Sequence, residues 1–270
     1  MSAGSNTGRM AIEKLALQDG EGRRLRPVKS LVRAIDLLDA LVEAAEPLGV
    51  TDLAAATGFS KTATYNLVTT LESRGLIRRD GDNRYGLGWR LLELGEYVRT
   101  RSSLGETARP HLEALADLAG ETSFVGILDG ESVLCLEMAV SRRSVPMDLA
   151  PGRRIGLEAN AAGEVLVAFA SPRRRRRYAQ GRPRGANDAD VIARLERVRR
   201  AGHATAQNVP GSICASVAVP FRDDSGDVVG TLALIGPGTR LTEGRLRELT
   251  KVLEEEALDL SGALGFVQKY

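Results

Sequence analysis

The chain has 270 residues, 43% of them hydrophobic and 27% charged, and a formal net charge of +2. That length accommodates two ordinary domains, each with a buried core, and the composition excludes a disordered chain. No run of about 18 apolar residues is present, which excludes a predicted membrane-spanning helix, and the first residues lack the apolar core of a secretory signal, so a cytoplasmic protein without membrane contact is expected.

Cys135 and Cys214 both lie in apolar, strand-like runs, where a reducing compartment keeps them as thiols. His111 and His203 have no Cys, His or Asp at ligand spacing, so no metal or other cofactor is expected. Charges balance from residue 105 onward, which places the basic excess in the N-terminal part. There Arg23, Arg24, Arg26, Lys29 and Arg33 form a stretch free of acidic residues, suited to local phosphate contact.

Residues 1–25 are small and polar without a sustained period and read as a flexible tail. Ser30 then opens a first helix, in which Leu31, Ile35, Leu38 and Val42, with Leu41 alongside, make one apolar face. Thr51 is placed to cap a short second helix that ends at Gly58, and Ser60 caps a third. That third helix carries its core face at Thr64, Leu67, Val68 and Leu71, which leaves Lys61, Thr62, Ala63, Tyr65 and Asn66 pointing outward. Small and hydrogen-bonding side chains there can approach base edges, while the exposed N–H groups of the helix start suit phosphate. Gly75 stops the helix, and residues 76–79, a turn at Asp80-Gly81-Asp82-Asn83, and residues 84–87 make a basic hairpin. The succession over residues 26–88 predicts a winged helix-turn-helix that binds DNA. A generic three-helix interaction domain would have no need of the polar outward face or the basic wing.

Residues 89–104 predict a linker helix too apolar for a solvated spacer, with Trp89, Leu91, Leu92, Leu94 and Val98 packed against a partner chain or against the second domain. The second domain, 105–270, opens with an amphipathic helix through Ala108, Leu112 and Leu115 that Gly120 closes. A hairpin follows around Asp129-Gly130-Glu131-Ser132, with a loop longer than two residues, then an extended segment at 144–149. Asn160 or Ala161 starts a helix, and Val191, Leu195 and Val198 mark another. A second hairpin over 212–221 and 228–235 precedes a last helix capped by Thr242. Hairpins flanked by helices predict an α+β fold with a cavity between the sheet and the elements covering it. The run Arg173–Arg177 begins a helix, where positive charge opposes the dipole, and reads as solvated or docked on acidic side chains.

The chain resembles the IclR family of bacterial transcriptional regulators over residues 28–265. The resemblance is carried by SLVRAIDLLDAL, TDLAAATGFSKTATYNLVTTLESRGLIRR and YGLGWRLLELG in the first half, and by PGRRIGLEANAAGEVLVAF and GSICASVAVPFRDDSGDVVGTLALIGPGTRLT in the second. It implies a GAF-like α/β effector-binding domain behind the winged helix-turn-helix, and a homodimer or dimer of dimers on double-stranded operator DNA. The DNA-binding residues it implies are Lys61, Thr62, Ala63, Tyr65 and Asn66, flanked by Ser30, Arg33, Thr51, Ser60 and Arg84. The implied effector pocket takes in Met147, Ile155, Ala161, Ala162, Cys214, Ala233 and Ile235.

Three departures from the family pattern bear on function. Asn66 stands where Arg is frequent, Glu158 where His is common, and Ala233 and Ile235 where hydroxyl residues often hold a small carboxylate. Losing each hydroxyl removes roughly 0.5–1.5 kcal/mol of net binding, whereas backbone N–H groups at residues 161–163 can still hold an anion. The expected effector is therefore a carboxylate less polar than a two- or three-carbon oxoacid, aromatic or of longer chain. The expected function is an effector-modulated, sequence-specific transcriptional regulator, in the first instance a repressor. A regulator without a ligand, or one that reads the redox state of Cys214, is the alternative. An enzyme is not expected: no Ser-His-Asp, Cys-His or paired-carboxylate set is present, Gly58-Phe59-Ser60-Lys61-Thr62 lacks the glycine that precedes lysine in a P-loop, and Gly86-Leu87-Gly88 lacks the third glycine of a dinucleotide fingerprint.

Overall fold

A computed structural model describes residues 27–267 except 102, 146–148, 159, 182–186 and 208–212. The predicted tail, Arg23, Arg24, Arg26 and Met147 lie outside the described residues. The chain divides into two units after Arg101. The first contains α1 (Lys29–Glu43), α2 (Val50–Thr57), α3 (Lys61–Ser73), β1 (Ile77–Arg79), β2 (Tyr85–Leu87) and α4 (Trp89–Arg101).

Leu37 and Leu41, one turn apart on α1, meet Leu53 of α2, Val68 and Leu71 of α3, Ile77 of β1 and Tyr85 of β2 in a single small core. This corrects the predicted face of α1: Leu31, Ile35 and Val42 are exposed. The helix carries two apolar stripes, and the one at Leu37 and Leu41 is turned inward. The caps also differ at two positions. α1 follows Val28 without a side-chain cap, so Ser30 lies inside the first turn. α2 begins at Val50, where the Asp52 carboxylate accepts the Gly49 N–H at 3.2 Å and Thr51 is an exposed first-turn residue. Gly58 adopts φ 71° at the end of α2, and the Ser60 hydroxyl accepts the Ala63 N–H. β1 and β2 pair antiparallel, and Leu48 exchanges both backbone hydrogen bonds with Tyr85, so the wing is anchored to the loop between α1 and α2.

The second unit contains α5 (Leu104–Ala119), β3 (Thr122–Asp129), β4 (Ser132–Val140), β5 (Arg154–Gly156), α6 (Ala161–Phe169), α7 (Pro172–Gln180), α8 (Asp188–Ala201), β6 (Ala204–Ala206), β7 (Cys214–Arg222), β8 (Val228–Pro237) and α9 (Glu243–Ala263). Its strands form one antiparallel sheet in the order β5-β4-β3-β8-β7-β6. Side chains alternate across it as the pleat requires. Phe124, Ala218 and Ala233 join α6, α7 and α8 on one face, while Val125, Val217, Val219, Leu232 and Leu234 join α5 and α9 on the other. The result is a three-layer α/β domain with helices on both faces of the sheet.

Two sequence expectations are corrected here. Asp129 pairs with Ser132, so the first hairpin closes with the two residues Gly130-Glu131, and Gly130 takes φ 56° as the first residue of a tight turn. The described residues of 144–149 form no strand. The edge strand is instead β5, three residues long and paired to β4 through Leu134 and Arg154, too short to show a period.

Beyond β5 the chain folds back so tightly that a Cβ on Gly163 would stand 2.3 Å from the Leu157 carbonyl oxygen. Gly163→Ala must therefore displace the start of α6, an overpacking cost of about 1–3 kcal/mol. A lowered urea midpoint with unchanged slope is expected, and an unchanged midpoint would contradict this account.

Candidate functional site

On α3 the buried side chains Thr64, Val68 and Leu71 fix which way the helix faces. Lys61, Thr62, Tyr65 and Asn66 are exposed, and Ala63 is half-buried. Further along, Thr69 and Thr70 donate their hydroxyls to the Tyr65 and Asn66 carbonyls at 2.9 and 2.8 Å, which leaves the first turns as the adaptable part of the surface. Ser60 takes the N–H of Ala63, and those of Lys61 and Thr62 have no partner among the described residues. Positive helix-end dipole and Lys61 thus coincide at one point.

Arg33 is brought to the same end. Its guanidinium lies 5.4 Å from the ring centroid of Phe59, the residue directly before the Ser60 cap. Sequence reasoning found Arg33 but not the ring that places it. The only signal was an aromatic residue inside a turn otherwise made of Gly and Ser. Arg78 of the wing similarly covers Trp89 at 5.6 Å. Arg84 also has a role within the unit. Its Nε donates to the Pro47 carbonyl at 2.6 Å and its Nη2 lies 3.5 Å from Asp52, so it ties the wing to the helices. Asp80 shapes the wing tip by accepting the N–H groups of Asp82 and Arg84. Ser30 and Thr51 are exposed in the first turns of α1 and α2.

In the second unit, Ala161, Ala162 and Ala233 share one buried cluster, with Ile155 and Ile235 packed against it. Cys214 lies outside that cluster, half-buried at the start of β7 opposite Pro237. The polar end of this region is built by two residues that sequence reasoning did not single out for it. Ser216, opposite Ile235 on the neighbouring strand, accepts the Ala161 N–H at 3.1 Å, and Asn160 accepts the Gly163 N–H at 2.7 Å. Two of the three N–H groups expected to be open to an anion are therefore occupied. The Ala162 N–H and the hydroxyl proton of Ser216 remain, without a partner among the described residues. Behind them, buried Glu164 accepts two bonds from Arg194 and so fastens α6 to α8. Burial, and secondarily Arg197, lowers the Arg194 pKa from its ordinary value.

Thiol chemistry finds little support. Burial, and secondarily the charge of Glu137, pushes Cys135 up to about 12, so it stays protonated and unreactive near neutrality. β3 and β8 stand between β4 and β7, which by itself puts Cys135 and Cys214 at least roughly 14 Å apart at the usual strand spacing and excludes a disulfide between them. Among the described residues no group of three or more His, Cys, Asp or Glu is arranged to hold a metal.

A winged helix unit with one polar helix face outward, followed by a three-layer α/β domain, is the architecture of a DNA-binding regulator with a sensor domain. Comparison with known proteins agrees. Residues 30–81 match the IclR helix-turn-helix domain, and residues 97–262 match the C-terminal domain of the bacterial transcriptional regulator IclR. The HTH-type transcriptional regulator BhcR of Paracoccus denitrificans is 29% identical over 244 residues, covering 87% of this chain and 86% of its own. The crystal structure of Thermotoga maritima IclR superposes with a TM-score of 0.70 at 26% identity, over 88% of this chain and 99% of that one. An IclR homologue from Microbacterium hydrocarbonoxydans, solved with 4-hydroxybenzoate, shares the fold with a TM-score of 0.75 at 23% identity, over 87% and 98% of the two chains. The chain belongs to the IclR family of bacterial transcriptional regulators. It is a helix-turn-helix transcription regulator and not an enzyme.

Phe59→Ala should behave like Arg33→Ala in DNA binding, weakening cognate and random sequences alike and lowering the salt slope by about 1. A fluorescence-anisotropy titration at several salt concentrations reads both quantities. Tyr65→Ala is expected to lose roughly 1–3 kcal/mol on cognate DNA only; equal losses on random DNA would show that Tyr65 reads no base.

Proposed function

We propose that the protein acts as a homodimer, or a dimer of dimers, in which residues 26–88 read operator DNA, residues 89–104 set the spacing of two reading heads, and residues 105–270 bind a small aromatic or longer-chain carboxylate that releases the operator. The N-terminal residues 1–25 add basic side chains for phosphate contact. The observation that carries dimerisation is the unpartnered apolar surface of the first unit. Trp89 is 70% exposed and Leu31 61%, and Ile35, Val42, Leu92 and Val98 are exposed beside them in sequence. A unit whose apolar core cluster numbers seven buried side chains gains nothing from presenting so much apolar surface to water. The reading face adds a second reason. With Lys61 and, beside the helix start, Arg33 as its cations and Asn66 uncharged, a single copy gathers few phosphate contacts, and two half-sites multiply them.

The residues around the start of α6 support the choice of effector. Ala233 and Ile235 supply wall and no hydrogen bond, so an incoming carboxylate has the Ala162 N–H and the Ser216 hydroxyl as its anchors. A ring or alkyl chain then gains about 25 cal/mol for every Å² of apolar surface it buries. The 4-hydroxybenzoate bound to the related Microbacterium protein is a ligand of this chemical kind.

Calorimetry with 4-hydroxybenzoate and glyoxylate tests the effector class: the aromatic acid should bind at least about tenfold more tightly, or 1.4 kcal/mol, and the reverse order would overturn it. A reporter driven by the footprinted promoter should rise when the acid is added, and a fall would make the protein an activator. Leu92→Glu should halve the mass seen by sedimentation and weaken operator binding; an unchanged mass would remove α4 from the interface.

A further inference from the structure

Away from the start of α6, a cavity of about 310 Å³ opens in the sensor unit, lined by Ala119, Gly120, Glu121, Arg143, Arg240, Leu241 and Arg245. We propose that this cavity is a second ligand site, for a small aliphatic dicarboxylate, held between Arg143 on one side and Arg240 with Arg245 on the other.

Sheet order places the arginines. Glu121 directly precedes β3, and β4 and β8 are the strands on either side of β3. Arg143 follows the end of β4, where Val140 pairs with Thr122, and Arg240 follows the end of β8, where Ile235 pairs with the same Thr122. The two side chains thus follow opposite neighbours of one strand, whose backbones stand about 10 Å apart at Val140 and Ile235. Arg245 comes from the first turn of α9, which also points its N-terminal dipole to this end of the sheet.

The charges are not all spoken for. Glu121 is buried and accepts two bonds from Arg240, at 2.6 and 2.7 Å, in the bidentate geometry that locks a guanidinium plane. The carboxylate is held hard against the backbone: a Cβ on Gly236 would meet Glu121 Oε2 at 2.4 Å. Arg245 donates to Glu248 and to the Leu118 carbonyl. The guanidinium of Arg143 has no hydrogen bond or ion pair among the described residues, although its stem is packed across Gly120, where an added Cβ would lie 3.7 Å from its Cδ. Three arginines against Glu121 and Glu248 leave the cavity cationic, with its free charge on the Arg143 side.

Between the charged ends lie Ala119 and buried Leu241, an apolar floor. Arg143 offers an uncompensated charge at one end, and Arg240 and Arg245 keep N–H donors beyond those spent on Glu121, Glu248 and Leu118 at the other; across an apolar floor these match a molecule with two carboxylates and a short carbon chain. A compact anion such as phosphate reaches one end only. The volume stands at the lower limit of small-molecule sites, in keeping with a small ligand.

The test is calorimetry on the full chain at constant ionic strength, with succinate and inorganic phosphate as the probes. Wild type should bind succinate with a dissociation constant of roughly 1 mM or tighter. Arg143→Ala should weaken it about tenfold or more, as the loss of a charge-assisted contact does, and Arg143→Lys should restore part. Ser216→Ala, which alters the start of α6, should leave succinate affinity unchanged. No succinate binding by wild type, equal affinity for phosphate, or equal affinity in Arg143→Ala would each overturn the proposal. A loss in Ser216→Ala with none in Arg143→Ala would move the ligand to the start of α6.

Discussion

The sensor unit depends on a geometric constraint, because its central strands β3 and β8 are covered on both faces and no polar side chain can leave the sheet sideways into water. Phe124 and Val125, or Ala233 and Leu234, are neighbours in sequence yet belong to cores on opposite sides. Polar chemistry is therefore pushed to strand ends and helix starts. Ser216 and Asn160 take up N–H groups of α6 there, and Glu121 and Glu164 are buried only because Arg240 and Arg194 reach them. A buried carboxylate without such a partner would cost several kcal/mol.

In the DNA-binding unit the same requirement works on a smaller scale. Seven clustered apolar side chains, with Ala54, Thr57 and Thr64 also buried, hold three helices and the wing. Leu37 and Leu41 commit one side of α1, which leaves the other stripe of the same helix outward. Thr64, Val68 and Leu71 commit one side of α3 and leave its opposite side exposed. The rotation of the reading helix is set by what it buries, and its leading end is furnished from outside, by Arg33 of α1 stacked on Phe59.

What could be read from the sequence follows from the range of each interaction. Caps act within three or four residues, and Gly58, Ser60, Gly120 and Thr242 stand where their chemistry predicted. Periodicity identified the helices and the two hairpins, but not which of two apolar stripes on α1 would be buried, since both satisfy a 3.6-residue repeat. The three residues of β5 carry no period at all. Pairings across the fold were out of reach: Glu121 and Arg240 are 119 residues apart, Glu164 and Arg194 are 30, and Glu137 and Arg109 are 28. Arg84 shows the same limit, since nothing in the sequence of a basic wing reveals that Pro47 and Asp52 hold this residue.

The start of α6 shows how such a pairing changes a functional reading. From sequence, a helix N-terminus lined by alanines is an anion site with three donors. In the fold, Ser216 and Asn160 already occupy two of them, and the remaining pair can orient one carboxylate without greatly rewarding it. Discrimination on the proposed reading then rests on the walls. Each methylene buried there adds about 0.8 kcal/mol, so a ring or chain outweighs a single hydrogen bond near 1 kcal/mol after two or three carbons. The loss of hydroxyls at Ala233 and Ile235 and the internal satisfaction of α6 act in the same direction, away from small oxoacids and toward ligands recognised by their apolar shape.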